Sequence, residues 1–270
     1  MFSKELLAIK KEVLESSKMQ FAYIEEIAER NTLKVLDAMR ECRVSDAHFN
    51  TTSGYAYDDI GRTKLEDLYA KVFGAERALV RTQFVSGTHA LATVLFGILR
   101  PGDALVSLTG KPYDTMQTVI GYEHPSKGSL KEFGVSYNEL PMVNGKVDIA
   151  GIQRVVTKRT KVAAIQRSRG YSMRSPLSID AIRAITEKVH RVNPKCICFI
   201  DNCYGEFVDR MEPTDVETVD IIAGSLIKNP GGGLAPTGGY IAGRSELVAA
   251  ASYRLTAPGM GDELGASLTS

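Results

Sequence analysis

The chain has 270 residues, 44% apolar and 24% charged, which is globular composition and length enough to bury a core. Disordered, collagen-like and disulfide-scaffold architectures are excluded. Lys plus Arg number 33 against 32 Asp plus Glu, so bulk charge offers nothing to a phosphate backbone and nucleic acid is not an expected partner.

In chain order, the first segment, MFSKELLAIKKEVLESSK, is charged throughout and lacks the apolar centre of a signal peptide. Leu6, Leu7, Ile9, Val13 and Leu14 recur at helical spacing, as do Ile24, Ile27, Ala28, Val35 and Leu36. Two amphipathic helices are predicted within residues 1–50, forming an arm across another subunit or a layer packed on their own chain. Glycine first occurs at Gly54. From about residue 75, short β-branched or apolar runs predict strands at 78–81, 104–107, 134–137, 162–166, 196–201, 221–224 and 240–242. Helical stretches fall between them at 88–99, 113–120, 149–156 and 179–190. This alternation predicts an α/β fold over 51–270, a mostly parallel sheet sandwiched by helices. Ligands are then expected in the loops beyond the carboxyl ends of the strands. The longest apolar run, 90–99, is roughly half a membrane span. Cys42, Cys196, Cys198 and Cys203 are too few and too clustered for a secreted disulfide framework. A protein of the reducing cytoplasm, without a membrane partner, is expected.

Dinucleotide, P-loop and metalloprotease motifs are absent from the sequence. The cysteines lack zinc-site spacing and read as buried strand residues, and no metal is expected. Three loops carry the candidate chemistry. The first predicted strand leads into Ser86-Gly87-Thr88, small residues opening an apolar helix. Such a turn is a plain cap or an anion cup, because the first N–H groups of a helix lack partners and its dipole favours negative charge there. The fifth strand ends in Asp201, either a turn residue or a partly desolvated carboxylate that needs a proton donor or cation. The sixth leads through Ser225 to Lys228, ahead of Gly231-Gly232-Gly233. That lysine is either an exposed residue at a strand exit or a semi-buried amine with a weakened charge preference, able to attack a carbonyl. Taken in order, cup, carboxylate and lysine suit a phosphorylated aromatic aldehyde, with phosphate at the cup, ring nitrogen at Asp201 and imine at Lys228. That cofactor is pyridoxal 5'-phosphate.

Beyond these loops, GYAYDDIGR at 54–62, FVSGTHA at 84–90, KPYDT at 111–115, QRSRGY at 166–171, FIDNCYGEF at 199–207 and SLIKNPGGGLAPTGGYIAG at 225–243 resemble a family. The chain is similar to fold-type-I pyridoxal-phosphate enzymes, in the methionine γ-lyase-like branch labelled cystathionine lyase or aluminium-resistance protein. The resemblance implies that Lys228 forms the Schiff base and shuttles protons, and that Asp201 keeps the pyridine nitrogen protonated. It further implies that Ser86, Gly87, Thr88 and Ser225 hold the phosphate, with Tyr113 and Cys203 on opposite ring faces. Tyr57 and Arg62 resemble a pair donated to a neighbouring subunit's phosphate, which implies a homodimer or homotetramer. Arg167 and Arg169 are substrate-carboxylate or structural residues. Members of the family carry a further C-terminal small domain, so the resemblance implies that this chain lacks one. The implied activity is a carbon–sulfur lyase acting on a sulfur amino acid of the cystathionine, cysteine or methionine type. The alternatives are another fold-type-I enzyme, such as an aminotransferase, or a non-catalytic cofactor-binding module.

Overall fold

In the computed structural model, which describes residues 2–52, 57–123 and 126–265, the apolar runs between 77 and 243 join into one sheet. Its strands are β1 (Arg77–Arg81), β2 (Ala104–Ser107), β3 (Ser136–Glu139), β4 (Thr160–Gln166), β5 (Ile197–Asp201), β6 (Ile221–Ser225) and β7 (Gly239–Gly243). Their order across the sheet is β1-β7-β6-β5-β4-β2-β3. Neighbours from β6 to β3 pair in parallel, while β7 runs antiparallel to both β1 and β6. The mostly parallel α/β architecture is therefore as the sequence predicts.

Side chains alternate between the two faces of each strand, and both faces are covered. In β5, Ile197 and Phe199 face one core while Cys198 and Ile200 face the other. The first core is closed by α4 (Gly87–Ile98), α5 (Asp114–Ile120) and α8 (Ser245–Leu255). α4 is nearly all apolar because it lies between sheet and α8, and Ala90, Leu91, Val94, Leu95 and Ile98 are all buried. A Cβ on Gly97 would stand 2.8 Å from Ala251 Cα, so the α4–α8 crossing depends on that glycine. On the opposite face, α7 (Ile179–Val192) turns Ile179, Ile182, Ile185 and Val189 inward, and Ser178 caps it by accepting from the Ala181 N–H at 3.2 Å. α3 (Ile60–Val72) and the short α6 (Ile152–Val155) complete that layer.

Several boundaries differ from the expectation. The third strand begins at Ser136 rather than at residue 134, because Gly134 (φ 80°) is still in a turn closed by the Val135 N–H on the Leu130 carbonyl. α6 is shorter than 149–156, since Asp148 turns back to accept from the Gly151 N–H. α3 was not predicted; its start is capped by Asp59, which accepts from the Arg62 N–H at 2.8 Å. In the N-terminal region, α1 (Lys4–Ser16) buries no residue, whereas α2 (Lys18–Glu41) buries Ile27, Asn31 and Ala38. Asn31 donates to the carbonyls of Phe207 and Asp209, tying α2 to its own chain. Among the described residues no helix is long and apolar enough to cross a membrane.

Candidate active site

Loops leaving the carboxyl ends of β1, β2, β5 and β6 converge at one edge of the sheet. Ser86 caps α4 by accepting from the His89 N–H at 3.1 Å, which leaves Gly87 as the first helical residue. A Cβ on Gly87 would meet Ser225 Cβ at 3.0 Å and Cys203 Sγ at 3.4 Å. The strand end thus reaches the helix N-terminus only because residue 87 has no side chain. Ser225 is 1% exposed, and its Oγ is buried without a hydrogen-bond partner among the described residues. A buried hydroxyl left unpaired costs stability, and here it faces the positive end of a helix. The arrangement suits an anion.

Tyr113 leads into α5, and its hydroxyl lies 3.0 Å from Thr88 Oγ1, which also meets Thr115 Oγ1 at 3.2 Å. Burial, then the nearby Asp201 charge, pushes the Tyr113 phenol up, so it stays a neutral hydroxyl. Asp201 closes β5 and accepts from the Cys203 N–H at 3.1 Å. Burial pushes its carboxyl up, against the pull of the Cys203 N–H and thiol and of Lys228. Burial and then Asp201 likewise hold the Cys203 thiol up, so it is uncharged. Asp201, Cys203 and, from the loop after β6, Lys228 lie close enough to act on one another.

Lys228 departs from one expectation. Burial does work to lower its amine, but the surrounding Cys203, Tyr204 and Asp201 outweigh it, and the group stands above its ordinary value. Its Nζ sits 4.1 Å from the centre of the Tyr204 ring. Tyr204 has a left-handed backbone (φ 67°), a conformation uncommon outside glycine. The lysine is accordingly an ammonium parked on an aromatic face.

Arg167 is a structural residue. It is 1% exposed, donates to Asn202 Oδ1 at 2.8 Å and Asp209 Oδ2 at 2.7 Å, and lies 3.7 Å from Glu212 Oε2. Arg169 is exposed and lines two open grooves of about 920 and 710 Å³ on either side of its loop. Arg62 is buried, and its guanidinium donates to the carbonyls of Gly265 and Glu263 at 3.0 Å each; Tyr57 is exposed. Of the motif at 54–62, residues 54–56 lie outside the described residues. Sequence reasoning missed Tyr204, on whose ring Lys228 rests, and the buried group Glu206, Glu212 and Tyr240 next to it.

His190, Cys198 and Asp220 bring ligand atoms within 4.8 Å of one another. The protein already uses them. Asp220 accepts from the Cys198 N–H at 2.7 Å and from Arg244 at 2.9 Å, His190 Nε2 lies 3.1 Å from the Cys196 carbonyl, and burial keeps the Cys198 thiol protonated.

Residues 6–270 match the family model described as methionine gamma-lyase. A Bacillus subtilis protein of uncharacterised function, YnbB, is 51% identical over 249 residues, covering 92% of this chain and 59% of its own length. A crystal structure from Listeria monocytogenes, provisionally described as a cystathionine beta-lyase involved in aluminium resistance, is 53% identical with a TM-score of 0.95. The match covers 97% of this chain and 65% of that one. At 17% identity and a TM-score of 0.61, a pyridoxal-5'-phosphate-dependent Escherichia coli protein, YhfS, shares the fold over 83% of this chain and 56% of its own. The chain therefore spans about three fifths of the length of these relatives.

Proposed function

This chain belongs to the methionine gamma-lyase family, and on that premise we propose that it binds pyridoxal 5'-phosphate and serves as a carbon–sulfur lyase on a sulfur-containing amino acid. The observation that carries the reading is the unpartnered Ser225 hydroxyl beside the Gly87 cradle, at the same sheet edge as Asp201 and Lys228.

These residues fit the group. The α4 N-terminus, the Gly87 and Thr88 amides and the Ser225 hydroxyl would hold a phosphate dianion, matching donors and dipole to charge. Asp201, whose burial makes an unpaired anion costly, gains most from a cationic N–H partner such as a pyridinium. Tyr113 and Cys203, both uncharged, would flank a planar ring without competing for its charge. When bound, the cofactor supplies an electron sink for bonds broken at the substrate α carbon. Lys228 Nζ would anchor it covalently and, once exchanged for the substrate amine, would take the α proton and return it. Once the amine carries that proton as an ammonium, the Tyr204 ring gives it a place to rest within reach.

Incubating the pyridoxal-phosphate-loaded chain with L-cystathionine, L-cysteine or L-methionine tests the lyase reading. The expected products are a thiol or sulfide, a keto acid and free ammonia, with none formed by Lys228→Ala. Transfer of the amino group to an added keto acid, without ammonia, would show an aminotransferase instead. A loaded chain that forms neither set of products has the binding site without the activity.

A further inference from the structure

Behind Lys228 the fold buries more carboxyls than cations. Asp201, Glu206 and Glu212 cluster there with Asp209 at the edge, against Arg167 and Lys228. The four acids are not equally served. Asp209 and Glu212 share Arg167, and Glu212 accepts the Phe207 N–H at 2.8 Å and feels Lys34 of α2 as well. Asp201 has the Cys203 N–H and the pull of Lys228. Glu206, 1% exposed, has the Tyr240 hydroxyl on Oε1 at 2.8 Å, and its Oε2 is buried with no partner among the described residues.

Its position is set by Gly224 of β6 and by Asn229, the residue after Lys228. The carboxyl fills the notch at Gly224, where a Cβ would lie 2.5 Å from Glu206 Oε1. Its backbone carbonyl accepts from the Asn229 side chain at 2.9 Å, and Asn229 directly follows Lys228.

We propose that Glu206 is a positioning residue for the Asp201–Lys228 pair, a buried acid that carries its own proton on Oε2 and so leaves the negative charge of the site to Asp201. The inference rests on the reading of Lys228 and Asp201 as the working pair. An ionised Glu206 would set a second anion against Asp201 in a low-dielectric site, where unscreened like charges are costly. Burial, with smaller help from the Glu212 and Asp201 charges, raises this carboxyl to about 7 against the pull of its own backbone N–H. Tyr240 from β7 opposes the rise by its hydrogen bond. Tyr69 of α3 also faces it, and its phenol is pushed up by burial and then by the Glu206 charge; Cys203 is likewise raised in part by Glu206. Arg167 packs against Gly205 next door and is committed to Asp209 and Glu212.

The sign follows from proton linkage. A carboxyl held higher in the folded chain than in the unfolded one stabilises the fold while protonated, and that contribution is lost as pH rises toward its folded value. Glu206→Gln keeps the shape and an acceptor for Tyr240 but cannot ionise. Thermal midpoints of the chain without added cofactor should match between variant and wild type at about pH 5 and favour the variant by several degrees at about pH 8. A difference independent of pH overturns the proposal, as does a variant less stable at high pH. Tyr240→Phe removes a hydrogen bond that favours the anion, so the loss of stability with rising pH should begin at the same pH as in the wild type but become larger and extend to higher pH.

The link to the lysine is read separately, from the pH profile of Lys228 reductive methylation followed by mass spectrometry. Above about pH 7 wild-type Glu206 has given up its proton, so Glu206→Gln then removes a buried anion and lets the amine lose its proton more easily, and the profile should shift to lower pH by at least about 0.3 units. An unmoved profile means that Glu206 does not act on Lys228, and the proposal fails. Neither readout involves pyridoxal phosphate, so failure of the cofactor reading is seen independently in a loaded chain without product.

Discussion

Ser225 shows how a single side chain is spent on function rather than on folding. Its hydroxyl is buried and without a partner among the described residues, so Ser225→Ala removes a desolvated polar atom that makes no bond in the fold they form. The thermal midpoint should hold or rise, while affinity for pyridoxal phosphate falls by about 10- to 100-fold, the worth of one hydrogen bond to a charged group. Loss of affinity and stability together would mean that Ser225 has a structural partner instead. Arg167 is the opposite case. Its guanidinium compensates Asp209 and Glu212 in a buried setting, and truncation leaves those charges unpaired. Arg167→Leu should cost about 3–5 kcal/mol in chemical denaturation. A cost below about 1 kcal/mol would place the pair among weakly coupled surface ion pairs.

Among the elements, α4 joins stability to the site, since its N-terminus forms the cup and its middle crosses α8 at Gly97. Gly97→Ala gains up to roughly 1 kcal/mol of helix propensity. It also drives a methyl to 2.8 Å from the Ala251 backbone, a clash of the kind that costs about 1–3 kcal/mol. The clash should win, giving a lower thermal midpoint; a higher one would show that the two helices separate freely. The strands were legible because each combines β-branched and apolar residues with burial on both faces, as in Ile221–Ser225. β3 was displaced because its alternating half-exposed SYNE gives a weaker apolar signal than the turn before it. α3 went unread because its helix carries Arg62, Lys64, Glu66 and Asp67 among few apolar residues. The loops that bear Gly87, Asp201 and Lys228 were readable from their order along the chain. The Glu206–Tyr240 pair was not, because residues 34 apart meet only once β7 is inserted antiparallel beside β6.

At the scale of the whole molecule, the sheet and its two helical layers stand without the first helix. α1 buries no residue, and Leu6, Leu7, Ile9, Val13 and Leu14 all remain about half exposed. Deleting residues 2–16 should therefore change the thermal midpoint by less than about 2 °C, well under the effect of losing a packed element. A larger drop would mean that this helix is covered in solution. The site, in contrast, draws on four separate loops of the same sheet edge, so its integrity follows that of the whole sheet.

The central claim is that this edge holds pyridoxal phosphate through Lys228. It is tested most directly by adding the cofactor, removing the excess and recording the absorbance spectrum of wild type and Lys228→Ala. A band at about 420 nm is expected in the wild type, bleached by borohydride with the mass gain located on Lys228, and no such band in the variant. An identical band in both proteins, or none in either, would contradict it.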